Sequence, residues 1–132
     1  MTLIDTSAWI EFFRPKGDPL VKALVRDLMA SKEAAYTCPV AFELLTGARK
    51  EEMDDLRTGL DLASRIVLRP EHWDLAGSSN AALRARGINI PASDLLIATA
   101  AHSEKLPLLA KEAHFELLRK HALPHLVLVF PT

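Results

Sequence analysis

The chain has 132 residues, of which 49% are hydrophobic and 25% charged, a composition typical of one soluble globular domain and unlike that of disordered or fibrous proteins. A formal net charge of -1 gives no overall attraction to nucleic acid or membranes, so a polyanion would have to be bound by local groups. No basic-then-apolar leader precedes Leu3, and the apolar run 95–101 is too short to cross a bilayer. We therefore expect a cytoplasmic protein without membrane association.

Short apolar segments alternate with helical patterns along the whole chain. This alternation favours a single α/β domain over residues 1–132, with a mainly parallel central sheet of about five short strands flanked by helices. The predicted strands are 3–4, 34–38, 66–68, 106–109 and 126–130, and the predicted helices are 8–13, 20–28, 40–48, 53–62, 73–86, 95–101 and 114–121. Residues 69–72 are predicted to form a turn, and Gly87 is expected to end the fifth helix. The helix 95–101 is apolar on nearly every side and should be central.

The first strand runs directly into an acid and two hydroxyl residues, Asp5, Thr6 and Ser7. In parallel α/β sheets, ligands bind just beyond the carboxyl ends of the strands, so Asp5 is a candidate site residue. An alternative explanation is that one of these three residues only caps the next helix, because all three types accept hydrogen bonds from free helical N–H groups. Asp5 alone does not decide between the two.

Three further acids lie in segments that favour burial or follow a strand. Glu43 is surrounded by apolar residues, Asp94 opens the most apolar helix, and Glu112 follows the strand that ends at Leu109. An unpaired carboxylate is costly to bury, so such groups are usually paired, hydrogen-bonded or bound to a metal. Simpler explanations are a half-exposed helix for Glu43, and a first-turn acid capped by Ser93 for Asp94.

Four carboxylates that converge at one sheet edge would repel one another unless a cation compensated their charge. Oxygen donors of this kind favour Mg²⁺ or Mn²⁺, which keep several water ligands and bind phosphate oxygens. Such a site can activate a water for phosphodiester hydrolysis. The pattern therefore predicts a metal-dependent enzyme acting on phosphodiesters.

Four segments in order resemble the VapC type of PIN-domain protein. They are Leu-Ile-Asp-Thr-Ser at 3–7, Glu-Leu-Leu-Thr-Gly-Ala at 43–48, the run from Leu83 through Pro-Ala-Ser-Asp-Leu-Leu-Ile-Ala at 91–98, and Leu108-Leu109 before His114-Phe115. The resemblance implies a Mg²⁺- or Mn²⁺-dependent endoribonuclease that is the toxin of a type II toxin–antitoxin pair. It also implies a VapB-like antitoxin as partner and a homodimer, with higher toxin–antitoxin assemblies as an option.

By position, the resemblance makes Asp5, Glu43 and Asp94 metal ligands and places Glu112 where a fourth acid, commonly aspartate, is found. Thr6 and Ser7 would support the site by hydrogen bonds. The chain departs from the family pattern in two ways near the fourth position: Glu112 is one methylene longer than aspartate, and Ala110 replaces a hydroxyl residue often seen before that acid.

Basic side chains near the acidic segments are candidates for binding RNA phosphates. They include Arg84, Arg86 and Lys111. His114 is a further candidate for contact with substrate phosphate, because the resemblance places it where many relatives carry another polar or acidic residue. For each basic residue a solvated surface position is the simpler reading, and for His114 a solvent-facing place at a helix N-terminus. Trp9, Phe12 and Phe13 are expected in the core or a dimer interface, and Cys38 is expected to be a small buried residue.

Three other functions compete with the ribonuclease. One is a catalytically weakened module that binds only antitoxin or RNA, which the altered fourth acid favours. Another is a metal-dependent phosphatase or DNA nuclease that uses the same acids. A response-regulator receiver is weaker, because it would need paired acids after the first strand and Asp5 stands alone.

Overall fold

Five short parallel strands form the centre of the protein in a computed structural model that describes residues 1–129. The strands are β1 (Thr2–Ile4), β2 (Ala34–Thr37), β3 (Ser64–Ile66), β4 (Leu108–Leu109) and β5 (Leu128–Val129), and their order in the sheet is β3-β2-β1-β4-β5. β1 lies in the middle, where Leu3 pairs with Ala35 on one side and with Leu108 on the other. The predicted α/β class with a parallel sheet is confirmed.

Seven α-helices accompany the sheet within the described residues. They are α1 (Thr6–Phe13), α2 (Pro19–Ala30), α3 (Cys38–Gly47), α4 (Met53–Asp61), α5 (Pro70–Ala85), α6 (Ala92–Glu104) and α7 (His114–His121), with a short 3₁₀ turn at Lys50–Glu52. Local chemistry explains their ends. Asp18 caps α2 by accepting hydrogen bonds from the N–H groups of Leu20 and Val21. Gly87 follows α5 with a φ of 74°, a conformation that glycine adopts without strain.

Several predicted boundaries are wrong by two or three residues. The turn predicted at 69–72 is the first turn of α5, because Pro70 occupies the first helical position, where its missing N–H costs nothing. Pro39 similarly lets α3 begin at Cys38 and ends β2 at Thr37, and α6 begins at Ala92 rather than Leu95. The third strand lies at Ser64–Ile66 instead of 66–68, since pairing with Ala34–Thr37 sets its position. Of the last predicted strand, Phe130 lies outside the described residues.

The core contains the elements that the sequence patterns placed there. In α6, six side chains between Leu95 and Ala101 are buried, which confirms a central helix. Trp9 is also buried and stacks on Phe13 with 5.8 Å between ring centroids, so the aromatic cluster of α1 packs internally. Cys38 corrects one expectation: it is exposed at the start of α3 rather than buried.

The parallel topology sets the position of the polar segments. The carboxyl ends of β1, β2 and β4 lie side by side, and the chain leaves them toward α1, α3 and α7. None of the helices within residues 1–129 has the length and hydropathy needed to cross a bilayer.

Candidate active site

Asp5 is buried at the carboxyl end of β1, with 2% of its surface exposed. It is also the N-cap of α1, since its Oδ2 accepts hydrogen bonds from the backbone N–H of Ser7 at 3.0 Å and from Ser7 Oγ at 2.6 Å. The capping role and the site role are therefore compatible, because the two carboxylate oxygens differ. Oδ1 is buried and has no hydrogen-bond partner among the described residues.

Glu43 lies between the segments that carry Asp5 and Asp94. Thr6 Oγ1 donates to its Oε1 at 2.8 Å, and Ser93 Oγ donates to its Oε2 at 3.4 Å. Thr6 follows Asp5 and Ser93 precedes Asp94 in the chain. These two bonds place the carboxylate of α3 against the starts of α1 and α6.

Asp94 lies in the first turn of α6 and is half-buried. Its Oδ2 is 2.9 Å from Nδ1 of His114, the first residue of α7. This contact joins residues that the sequence analysis had assigned to different roles, ligand and substrate contact.

Glu112 is the most exposed of the four acids and lies in the loop between β4 and α7. Its charge contributes to raising the pKa of Asp94, although less than burial and the charge of Glu43 do. The backbone N–H of the adjacent Lys111 donates to Ser7 Oγ at 3.0 Å. This hydrogen bond joins the loop between β4 and α7 to the start of α1.

The carboxylates of the site lie together without compensating lysine or arginine partners among residues 1–129. Burial raises the pKa of Asp5 from 3.8 to about 6, against the lowering effect of the Ser7 hydrogen bonds, and the charge of Asp94 adds to the rise. Burial also raises the pKa of Asp94, with Glu43 and Glu112 adding to it and His114 opposing it. Within residues 1–129, no lysine or arginine forms a salt bridge with any of the four acids.

The donor chemistry suits a hard divalent cation. Carboxylate oxygens are the ligands that Mg²⁺ and Mn²⁺ prefer, and Asp5 Oδ1 is a buried acceptor that still lacks a partner. No three His, Cys, Asp or Glu side chains in the described part of the chain lie close enough to form a ready-made ion cage. The oxygen donors present are of the type that binds such an ion together with several of its waters.

The predicted basic contacts are in three different environments. Lys111 Nζ lies 3.2 Å from Asp18 Oδ2 and 3.7 Å from Glu11 Oε1, so its charge is directed toward the loop between α1 and α2. Arg86 Nη1 lies 3.0 Å from His121 Nδ1. His121 is about 10 Å along α7 from His114, by the rise per residue of an α-helix. Arg84 is exposed in the last turn of α5.

Two features of the site were not assigned by the sequence analysis. Ser93 was considered only as a helix cap, although its place directly before Asp94 was the signal for a supporting role. An apolar groove of about 550 Å³ also opens beside Glu43 and Ser93, with Phe42 72% exposed and Trp73 56% exposed at its edge. Helical spacing alone did not show that these aromatic side chains face outward.

Two kinds of comparison identify the family. Residues 2–120 match the PIN domain family. Among curated proteins, Ribonuclease VapC11 from Mycobacterium tuberculosis and VapC ribonuclease Mb1587 from Mycobacterium bovis are each 32% identical over 129 residues, which cover 91% of this chain and 92% of the relative.

Solved structures agree in fold. VapBC2 from Rickettsia felis, bound to a DNA fragment from its promoter, aligns with a TM-score of 0.80 at 21% identity, covering 98% of this chain and 97% of that one. DNA-bound VapBC from Salmonella typhimurium aligns with a TM-score of 0.81 at 15% identity over 100% of both chains. The chain therefore belongs to the PIN-domain family, and within that family it is of the VapC type.

Proposed function

We propose that this protein is an endoribonuclease that depends on Mg²⁺ or Mn²⁺ and acts as the toxin of a toxin–antitoxin pair. The observation that carries the proposal is that hydrogen bonds from Thr6 and Ser93 hold Glu43 beside the segments of Asp5 and Asp94. Within residues 1–129, none of these acids forms a salt bridge with lysine or arginine. The names of the curated relatives, which are ribonucleases, support RNA as the substrate.

The residues of the chain have separate tasks in this proposal. Asp5, Glu43 and Asp94 are the ligands, with Glu112 as a more exposed fourth, and the ion would supply positive charge and Lewis acidity at the scissile phosphate. Ser7 orients Asp5, while Thr6 and Ser93 orient Glu43, so that the carboxylates are held before substrate arrives. One carboxylate also orients the attacking water, which adds to phosphorus as the bond from phosphorus to the leaving sugar oxygen breaks.

Arg84 and Arg86 are the proposed contacts to RNA phosphates away from the scissile bond, because both side chains are exposed. Lys111 contributes through the position of its loop, since its ammonium group is paired with Asp18 and Glu11.

The test is a cleavage assay of the purified protein with RNA, single-stranded DNA and an aryl phosphate as substrates. We expect RNA cleavage with Mg²⁺ or Mn²⁺ that EDTA stops, and a loss of at least about 100-fold in rate for Asp5→Asn or Asp94→Asn. Asp74→Asn, which alters an exposed aspartate of α5, is the matched control and should cleave normally. Cleavage of DNA or the aryl phosphate in preference to RNA would replace the proposed substrate.

A second candidate is a PIN-type module that binds antitoxin or RNA without cutting. The exposure of Glu112, and the absence of a ready-made three-ligand cage within residues 1–129, favour it. Calorimetry separates the two functions, because the enzyme should take up Mn²⁺ at millimolar concentration and the module should not.

The proposed partners are a VapB-like antitoxin and a second copy of the chain. The solved structures named VapBC support the antitoxin as partner. For the second copy we propose the groove that contains Phe42, Val67 and Trp73, here called the apolar face. Its lining includes Glu43 but no lysine or arginine, so it is unsuited to RNA, while a self-complementary apolar contact suits a twofold dimer.

A further inference from the structure

His114 contacts a carboxylate of the site while part of its side chain remains exposed. Its Nδ1 lies 2.9 Å from Asp94 Oδ2, and 43% of the histidine side chain is exposed against 14% of the aspartate. The contact joins the start of α7 to the start of α6 across 20 residues of sequence.

The chemistry of the pair determines the direction of the hydrogen bond. An ionised carboxylate can only accept, so Nδ1 must carry the proton that is donated to Asp94. In a neutral imidazole this leaves Nε2 without a proton, and the ring orientation is then fixed by Asp94.

The other inner acids have donors of the same kind. Asp5 is held by Ser7, and Glu43 is held by Thr6 and Ser93. For Asp94, His114 is the side-chain donor that the described residues supply. A carboxylate with one oxygen fixed presents the other oxygen in a defined direction. His114 therefore orients Asp94, as Ser7 orients Asp5 and as Thr6 and Ser93 orient Glu43.

We propose that His114 is a positioning residue, whose Nδ1–H holds Asp94 Oδ2 and leaves Oδ1 for the ion. This inference rests on the proposed metal-dependent function and replaces the expected contact of His114 with substrate phosphate. Outer partners that orient ligands typically change metal affinity or activity by about 10- to 100-fold when removed.

Three variants separate positioning from substrate contact. His114→Asn places an amide N–H at the same distance along the side chain as Nδ1, His114→Phe keeps an aromatic ring without a donor, and His114→Ala removes both. We expect Mn²⁺ affinity, measured by calorimetry, to fall about tenfold or more in the Phe and Ala variants and to stay within about threefold of wild type in the Asn variant.

A control variant is His125→Asn, which changes an exposed histidine that stacks on His102 and should bind Mn²⁺ normally. Thermal unfolding of each variant checks that the fold is retained. The inference is overturned if the Phe and Ala variants bind Mn²⁺ as wild type does and only raise KM for RNA.

A second measurement decides the inference even if the protein binds no metal and cuts no RNA, which would refute only the proposed function. Imidazole ¹⁵N spectra of the metal-free protein report which ring nitrogen carries the proton. We expect a protonated Nδ1 on His114 in wild type. A proton found on Nε2, with Nδ1 bare, would overturn the inference.

Discussion

At the scale of single residues, the buried carboxylate of Asp5 lowers the free energy of unfolding when it is ionised. Its carboxylate is 2% exposed, and burial raises its pKa from 3.8 to about 6 although Ser7 donates two hydrogen bonds to it. The charged form is therefore less favourable in the folded protein than in the unfolded chain. A cation at the site would reverse this preference.

The first prediction concerns Asp5→Asn and the pH dependence of unfolding without metal. Since the folded pKa is raised, the cost of ionising Asp5 is absent well below pH 3.8, grows between 3.8 and about 6, and is complete above that. At pH 7.5 we expect the variant to exceed wild type in free energy of unfolding by about 3 kcal/mol, and by about half of this at pH 5. Urea unfolding at several pH values measures the difference.

Other acids with shifted pKa values are present in both wild type and variant, so their contributions largely cancel in the difference; one of them is Asp94, whose pKa burial also raises. The pKa of Glu11 is lowered mainly by the backbone N–H of Asp18, and that of Asp18 mainly by Lys111. Their stabilising contributions are present above the unfolded pKa values and are lost only as the pH falls toward the lowered folded values. Asp74→Asn is the control, and an equal gain in stability for both variants would contradict the explanation by burial.

At the scale of secondary-structure elements, the loop between α1 and α2 supports the site from outside. Its Asp18 pairs with Lys111, whose backbone N–H reaches Ser7, which in turn holds Asp5. This loop is tightly turned at Gly17, where a Cβ would lie 1.9 Å from the backbone oxygen of Glu11. Glycine is required there because the neighbouring atom is backbone and cannot rotate away.

The second prediction compares two glycines that differ in surroundings. Gly17→Ala should destabilise the protein by about 1–3 kcal/mol, because the added methyl group forces the backbone of the loop to move. Gly77→Ala, in the middle of α5 with nothing within 4 Å of the added Cβ, should stabilise by up to about 1 kcal/mol. Denaturant unfolding measures both, and equal effects would show that the close contact at Gly17 is relieved without cost.

At the scale of the whole molecule, the apolar face departs from a surface suited to a monomer. Phe42, Val67 and Trp73 are 72%, 64% and 56% exposed, and all three lie at the groove that Glu43 also lines. Contiguous exposed apolar side chains of this size usually mark an interaction surface. Its position beside Glu43 places the proposed dimer contact next to the acids.

The third prediction is that wild type sediments as a dimer and that Trp73→Asp or Phe42→Asp converts it to a monomer, since a buried charge would be left unpaired in the interface. Val127→Asp, at an apolar side chain that is 58% exposed elsewhere, is the control and should remain dimeric. Analytical ultracentrifugation makes the measurement. A monomeric wild type, or a dimer that survives both substitutions, would exclude this face as the dimer contact.

The parts of the fold that depend on local patterns were predictable, and the parts that depend on pairing were less so. Leu3 and Ile4 indicated a buried strand, and the apolar residues on every side of 95–101 indicated a central helix. Both predictions succeeded because buried segments consist of apolar side chains. The error at 66–68 has the opposite origin: Val67 is apolar but 64% exposed, and the partner strand decides which residues pair.

The sequence by itself determined the fold class, the family resemblance and the set of acids worth testing, because each follows from residue type, order and periodicity. Only the tertiary structure decided which side chains meet. Thr6 bonds to Glu43 across 37 residues and His114 to Asp94 across 20, while Lys111 turns toward Asp18. Contacts over such separations depend on how helices and strands pack around the sheet, and no short-range pattern in the chain records that packing.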